Sequence, residues 1–134
     1  ILAAVGVVAY SGYTSGAKKS AVKSNQAAII KYVAAELKKC ELGETNVMST
    51  KLKCDDRKNG GAVATGVSDA LGTEFKNPYK TADLAVRNST DTSKGGYVNL
   101  NAKSTSVVTV ATCFTEDSDC STSSNVVTKD ITIE

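Results

Sequence analysis

The chain contains four cysteines and no histidine. The cysteines are therefore the first residues to consider for chemistry, and the absence of histidine limits what they can do. Without histidine, neither a Ser-His-Asp nor a Cys-His relay can form, and no imidazole can bind a metal. The spacing of the cysteines matches neither the CxxC redox motif nor paired zinc knuckles. The lysines and carboxylates show no arrangement of a nucleophile beside an activating base. The sequence therefore predicts a non-enzymatic protein with no catalytic residues, no bound metal and no cofactor.

The cysteines are predicted to form disulfide bonds rather than to remain free thiols. An even cysteine count in a small chain rich in Ser and Thr is typical of proteins from an oxidising compartment. Four cysteines allow three pairings, and sequence alone does not choose among them. We favour Cys40–Cys54 and Cys113–Cys120, because each of these pairs closes a short local loop.

The segment between the last two cysteines is acidic and contains Glu116, Asp117 and Asp119. Clustered carboxylates can bind Ca²⁺, which prefers oxygen ligands. Their spacing does not follow that of an EF-hand, so we favour a solvated acidic loop. The net charge of the whole chain, +2, gives no indication of non-specific nucleic-acid binding, and no specific nucleic-acid partner is predicted.

A long helix, residues 1–40, is the first of the elements predicted to position these cysteines. Its first half, residues 1–13, opens with an apolar run that needs burial on every side, in lipid or among other helices. The run is shorter than the about 20 residues of a membrane span, so we expect the sequence to begin inside a longer hydrophobic segment. The alternative is that this apolar run forms a short helix buried in the core of the protein. The residues of this candidate assembly helix are Ile1, Leu2, Ala3, Ala4, Val5, Gly6, Val7, Val8, Ala9 and Tyr10.

The second half of the predicted helix, residues 14–40, is amphipathic. Its apolar residues recur every three to four positions, which predicts one buried stripe. Gly43, just beyond the last periodic residue, predicts the end of the helix. We expect the stripe to pack against a sheet through Val22, Ile29, Ile30, Val33 and Leu37.

The remainder of the chain, residues 41–134, is predicted to form a globular head. A connector, residues 41–81, shows little periodicity, and we expect a short helix in it that begins at Ser68. Residues 82–134 alternate apolar and polar positions over several short segments, which predicts antiparallel strands together with the disulfide loop. The predicted fold class is α+β, with a long N-terminal helix packed on a small antiparallel sheet and a C-terminal disulfide loop.

The residues Ile1-Leu2-Ala3-Ala4-Val5, followed by Ala9-Tyr10, resemble the inner part of the hydrophobic N-terminal helix of type IV pilins and pseudopilins. The order of elements is also similar to that family: amphipathic helix, variable connector, antiparallel sheet and C-terminal disulfide loop. The resemblance implies the pilin fold. It also implies that the Cys113–Cys120 loop is the family's exposed disulfide loop, which often takes part in adhesion or subunit contacts.

The function implied by this resemblance is that of a structural subunit of a bacterial type IV pilus. Such a subunit polymerises through its hydrophobic helix into an extracellular filament for adhesion, motility or DNA uptake. The implied partners are other copies of the chain, inner-membrane lipid before assembly and the pilus assembly machinery. A type II secretion pseudopilin is the alternative, although two disulfides favour the pilin. A secreted, disulfide-stapled binding module is a further alternative, but it gives no reason for the apolar start.

Overall fold

A computed structural model describes the backbone of residues 2–134 and the side chains of residues 14–134. Its first element is the helix α1, Leu2–Glu41, which is 40 residues long and therefore about 60 Å at 1.5 Å per residue. The helix ends in a Schellman motif, in which the Glu44 N–H donates to the Lys39 carbonyl and the Gly43 N–H donates to the Cys40 carbonyl. This motif needs a left-handed residue, and Gly43 supplies it with a φ of 101°.

The connector after α1 is more ordered than its sequence indicates. A short hairpin of β1 (Asn46–Val47) and β2 (Leu52–Lys53) is followed by a 3₁₀ turn and by the helix α2 (Gly60–Leu71). The expectation of a helix that begins at Ser68 is wrong, because Ser68 lies inside α2. The helix begins earlier because the Asn59 side chain accepts hydrogen bonds from the Gly61 and Ala62 N–H groups, as an N-cap does.

The first part of residues 82–134, which were predicted to form one antiparallel sheet, is divided between two sheets. The strands β3 (Lys76–Asn77) and β4 (Lys80–Leu84) form a hairpin of their own around Pro78. The next strand, β5 (Val86–Asn88), belongs to the main sheet. Ala85 joins the two, because its N–H donates to the Phe75 carbonyl and its carbonyl accepts from the Val98 N–H.

The main sheet has four strands in the order β5-β6-β7-β8. The β6–β7 and β7–β8 pairs are antiparallel, as predicted, but β5 and β6 are parallel, with Val86 opposite Val98. The prediction of a purely antiparallel sheet is therefore wrong at this edge, because the chain from Asn88 to Tyr97 crosses back before it enters β6. The remaining strands are β6 (Val98–Ala102), β7 (Val107–Cys113) and β8 (Val126–Thr132).

One cluster of buried apolar side chains joins both helices to the main sheet. Both helices contact β6 and β7, and α2 also contacts β5. Of the residues predicted to face the sheet from α1, four are buried, whereas Ile30 is partly buried at the margin of the cluster. The cluster includes Ile29, Val33 and Leu37 from α1, Val63, Val67 and Leu71 from α2, and Val98, Leu100, Val108 and Val110 from the sheet. The structure is α+β, with an N-terminal helix and small, mainly antiparallel sheets.

Candidate functional site

Two regions of this molecule are candidates for function: the exposed surface of α1 and the C-terminal disulfide loop. The residues predicted for the filament core, from Ile1 to Tyr10, lie outside the residues whose side chains the structure describes, and their role stays a prediction. Over the part of the chain that the structure does describe, no helix is long and apolar enough to cross a membrane.

The exposed side of α1 beyond the apolar run consists mainly of small residues and lysines. Between Thr14 and Ala35 the helix contains four lysines and no Asp or Glu. Small side chains leave a shallow groove of about 650 Å³ on this side, and its lining residues are Gly16, Ala17, Ser20, Ala21 and Ser24. A flat, small-residue surface of this kind permits close approach of another helix.

Both predicted disulfide bonds are confirmed. Cys40 and Cys54 are joined across a sequence separation of 14, and Cys113 and Cys120 across a separation of 7. All four cysteines are buried. The first bond attaches the C-terminal end of α1 to the connector. The second closes the acidic loop, residues 113–120, which we call the disulfide loop.

Asp117 fixes the disulfide loop against the rest of the head. Its Oδ1 accepts the Gly95 N–H at 2.7 Å, and its Oδ2 lies 3.0 Å from Lys80 Nζ and 3.8 Å from Lys94 Nζ. The hydrogen bond from Gly95, followed by that from Lys80, holds the pKa of Asp117 below its usual range. Glu116 and Asp119 are exposed, as expected of a solvated acidic loop, whereas Asp117 is held by these contacts. No group of three His, Cys, Asp or Glu residues that could hold a metal occurs within the described portion of the chain.

Gly95 is required at this contact. The chain from Gly95 runs beside Cys113 as an isolated parallel bridge. A Cβ atom at position 95 would collide with the carbonyl oxygen of Thr115. The backbone of residues 89–96 can therefore approach the disulfide loop closely because residue 95 has no side chain.

Two aromatic rings connect the disulfide loop to α1. The Tyr79 hydroxyl donates to the Phe114 carbonyl at 2.9 Å. Lys23 Nζ lies 4.2 Å from the centroid of the Phe114 ring, and Lys18 Nζ lies 5.8 Å from that of Tyr79, both within cation–π range. Burial, with a smaller contribution from Glu116, raises the pKa of Tyr79, which favours the protonated hydroxyl that donates this bond. The loop therefore lies beside the part of α1 that directly follows the apolar half.

A buried carboxylate organises the opposite end of the head. Glu36 Oε2 accepts the Met48 N–H at 2.8 Å, and Oε1 accepts from Lys39 Nζ at 2.7 Å. Burial alone would raise the pKa of Glu36, but the hydrogen bonds from Lys39 and Met48 outweigh it and lower the pKa. The turn that Glu36 holds is strained, because its residues Met48, Ser49 and Thr50 have φ values of 56°, 54° and 69°.

Comparisons with protein-family models, with curated proteins and with solved structures found no match. Function must therefore be inferred from the residues and from their geometry.

Several residues that shape these regions were missed at the level of sequence. Gln26 is buried within the apolar stripe, where its Nε2 donates to the carbonyls of Val110 and Val127 and so bridges β7 and β8. Gln26 follows Val22 by four residues and so lies on the same buried face of the helix. This spacing was the sequence signal that could have predicted its burial. Asp117 was identified as part of the acidic loop, but its hydrogen bond with Gly95 was not, and Tyr79 gave no signal, because the partners of both residues lie far away in the sequence.

Proposed function

We propose that this chain is a non-enzymatic structural subunit of a bacterial type IV pilus with the pilin fold. It polymerises through its N-terminal helix into an extracellular filament for adhesion, motility or DNA uptake. The observation that carries this proposal is the extent of α1 relative to the head. Val22 is the first buried residue of α1 among those whose side chains are described, and it lies about 30 Å along the helix from Leu2.

The apolar sequence at the start of α1 requires a partner. Exposing apolar surface to water costs about 25 cal/mol per Å². The head has little apolar surface left to offer, because the stripe of α1, the face of α2 and the sheet already bury one another in a single cluster. Lipid of the inner membrane covers the apolar run before assembly, and like helices cover it afterwards.

Contact among like helices explains why the product is a filament. One copy presents its helix to a different surface of the next copy, so the contact is heterologous and does not close on itself. The helices then bundle at the axis, with the heads and their disulfide loops at the surface. The pilus assembly machinery moves each copy from the membrane into this bundle.

A type II secretion pseudopilin is the second candidate, and it would use the same helix in a shorter filament. The two disulfides indicate an oxidising compartment, and between the two candidates we favour the pilin. A secreted, disulfide-stapled binding module is less well supported, since it leaves the apolar start of α1 unexplained.

The proposal is tested by placing a charge in the apolar run. Ala4→Asp would bury an unpaired carboxylate at the filament axis, which is strongly unfavourable. The matched control, Ser121→Asp, places the same charge at an exposed position just after the disulfide loop. Electron microscopy of sheared surface material should show no filaments for A4D and normal filaments for S121D. Normal filaments that contain A4D subunits would contradict a central helix bundle.

A further inference from the structure

The net positive charge of this molecule lies on α1. The helix contains six lysines and two glutamates, a charge of +4, which leaves −2 for the rest of a chain whose net charge is +2. Lys18 is the first charged residue of the sequence, and Lys19 and Lys23 follow within the next two turns of the helix. These three lysines are called the lysine collar here.

The three collar lysines lie within about one and a half turns of α1 and cover an arc of about 140° of its surface. Successive residues are separated by about 100°, so Lys19 and Lys23 lie about 100° and 140° around the axis from Lys18. Lys19 and Lys23 are exposed, and Lys18 is half-buried. The helical segment from Leu2 to the residue before Lys18 is about 24 Å long and contains no charged residue. This length approaches the about 30 Å of the hydrocarbon core of a bilayer.

The surroundings of the collar suit a membrane surface. The rings of Tyr79 and Phe114 lie beside Lys18 and Lys23, and the amphipathic ring of a tyrosine favours the interface between lipid and water. The nearby carboxylate of Asp117 is neutralised by Lys80 and Lys94, while Glu116 also lines the cleft beside Lys18. The groove of small residues next to the collar, about 650 Å³, leaves room for a phosphate-bearing headgroup.

We propose that the lysine collar binds the phosphate groups of anionic phospholipids while the subunit waits in the membrane. Clusters of basic residues directly after a hydrophobic helix bind acidic headgroups by Coulomb attraction, which salt screens. The inference rests on the proposed function, because the apolar run must enter a bilayer to bring the collar to its surface. Anionic lipid then holds the subunit until assembly withdraws it.

Lysine acetylation of the full chain tests this inference. The chain is reconstituted into lipid nanodiscs of phosphatidylcholine alone or mixed with phosphatidylglycerol, acetylated briefly and analysed by mass spectrometry. In the anionic discs the collar lysines should react roughly threefold or more slowly, and about 0.5 M NaCl should remove the protection. The internal control is the exposed lysines of the connector, Lys51, Lys53 and Lys58, whose rates should be equal in both lipids.

A pair of variants tests whether the protection of Lys18 from acetylation depends on the other two collar lysines. The change K19Q/K23Q should remove most of the lipid-dependent protection of Lys18, whereas K51Q/K53Q should leave it intact. Equal acetylation in the two lipids would overturn the inference, although a chain that enters both discs would still agree with the proposed function. Protection in neutral discs as well would indicate cover by a second copy and would also overturn it. If the natural mature protein, with any residues that precede Ile1, enters neither disc, the proposed function itself is contradicted.

Discussion

The two disulfide-bonded regions of the head differ in how much else holds them in place. Near Cys40–Cys54 the backbone contains the strained turn Met48–Thr50, and a buried carboxylate, Glu36, restrains it. The disulfide loop shows no comparable strain. It is held by the hydrogen bond from the Gly95 N–H to the Asp117 carboxylate and by that from the Tyr79 hydroxyl to the Phe114 carbonyl. A cation–π contact between Lys23 and the Phe114 ring adds to them. The first bond therefore closes a segment that contains strained backbone, whereas the second is one of several restraints on its loop.

Removing each disulfide is the strongest test of this comparison. Replacing Cys40 and Cys54 with Ala should lower the free energy of unfolding by about 3 kcal/mol, as expected for a loop of this length. Replacing Cys113 and Cys120 should lower it by about 2.5 kcal/mol or less, because the loop is shorter and its other contacts remain. Urea unfolding of both double variants measures the difference. A larger loss for the second variant would contradict the comparison.

The Glu36 carboxylate, which lies near the Cys40–Cys54 bond, should contribute less to the free energy of unfolding than that bond does. Glu36→Ala leaves the buried Met48 N–H without its acceptor, which should cost about 1–3 kcal/mol. Glu36→Gln keeps an acceptor oxygen for Met48 and should cost less. Hydrogen exchange at the Met48 amide, together with urea unfolding, distinguishes the two variants. Equal losses for the two would show that the bond to Met48 is not the stabilising contact.

The smallest expected effect is a difference between Glu36 and Asp117 in how much each carboxylate makes the stability of the fold depend on acid pH. The pKa values of Glu36 and Asp117 are both lowered in the folded state, so each carboxylate stabilises the fold above its ordinary pKa, 4.5 and 3.8 respectively. That contribution is lost as the pH falls below these values toward the folded pKa. E36Q should flatten the decline of stability below pH 4.5 more than D117N does, because Asp117 is more exposed. An unchanged acid profile in both variants would exclude these carboxylates as its source.

Local patterns predicted the features of this fold that depend on neighbouring residues. The 3.6-residue period placed Val22, Ile29 and Val33 on one face, and their side chains are buried. Short loops indicated the two disulfides, and Gly43 indicated the end of α1. In each case the sequence pattern and the structural feature that it predicts lie in the same short segment. The prediction therefore needed no knowledge of contacts between distant residues.

The features that sequence did not predict depend on contacts between distant residues. The parallel pairing of β5 with β6 is set by the path of the intervening chain, which carries no periodic signal. The hydrogen bond between Gly95 and Asp117 joins two loops that each resemble ordinary polar connections. At Asn59 the signal was present, but the Asn-Gly pair favours a turn as well as a helix cap. Tertiary contacts decided between these alternatives.

The proposed division of the chain into a head that folds alone and an apolar helix that mediates assembly is tested most directly by truncation. A chain that begins at Lys18 keeps every buried residue of the cluster and both disulfides but lacks the apolar run. Sedimentation velocity of the purified head should show a folded monomer. Electron microscopy of sheared surface material should show filaments from cells with the full chain and none from cells with the head alone. A head that unfolds, or that forms filaments without the apolar run, would contradict the account.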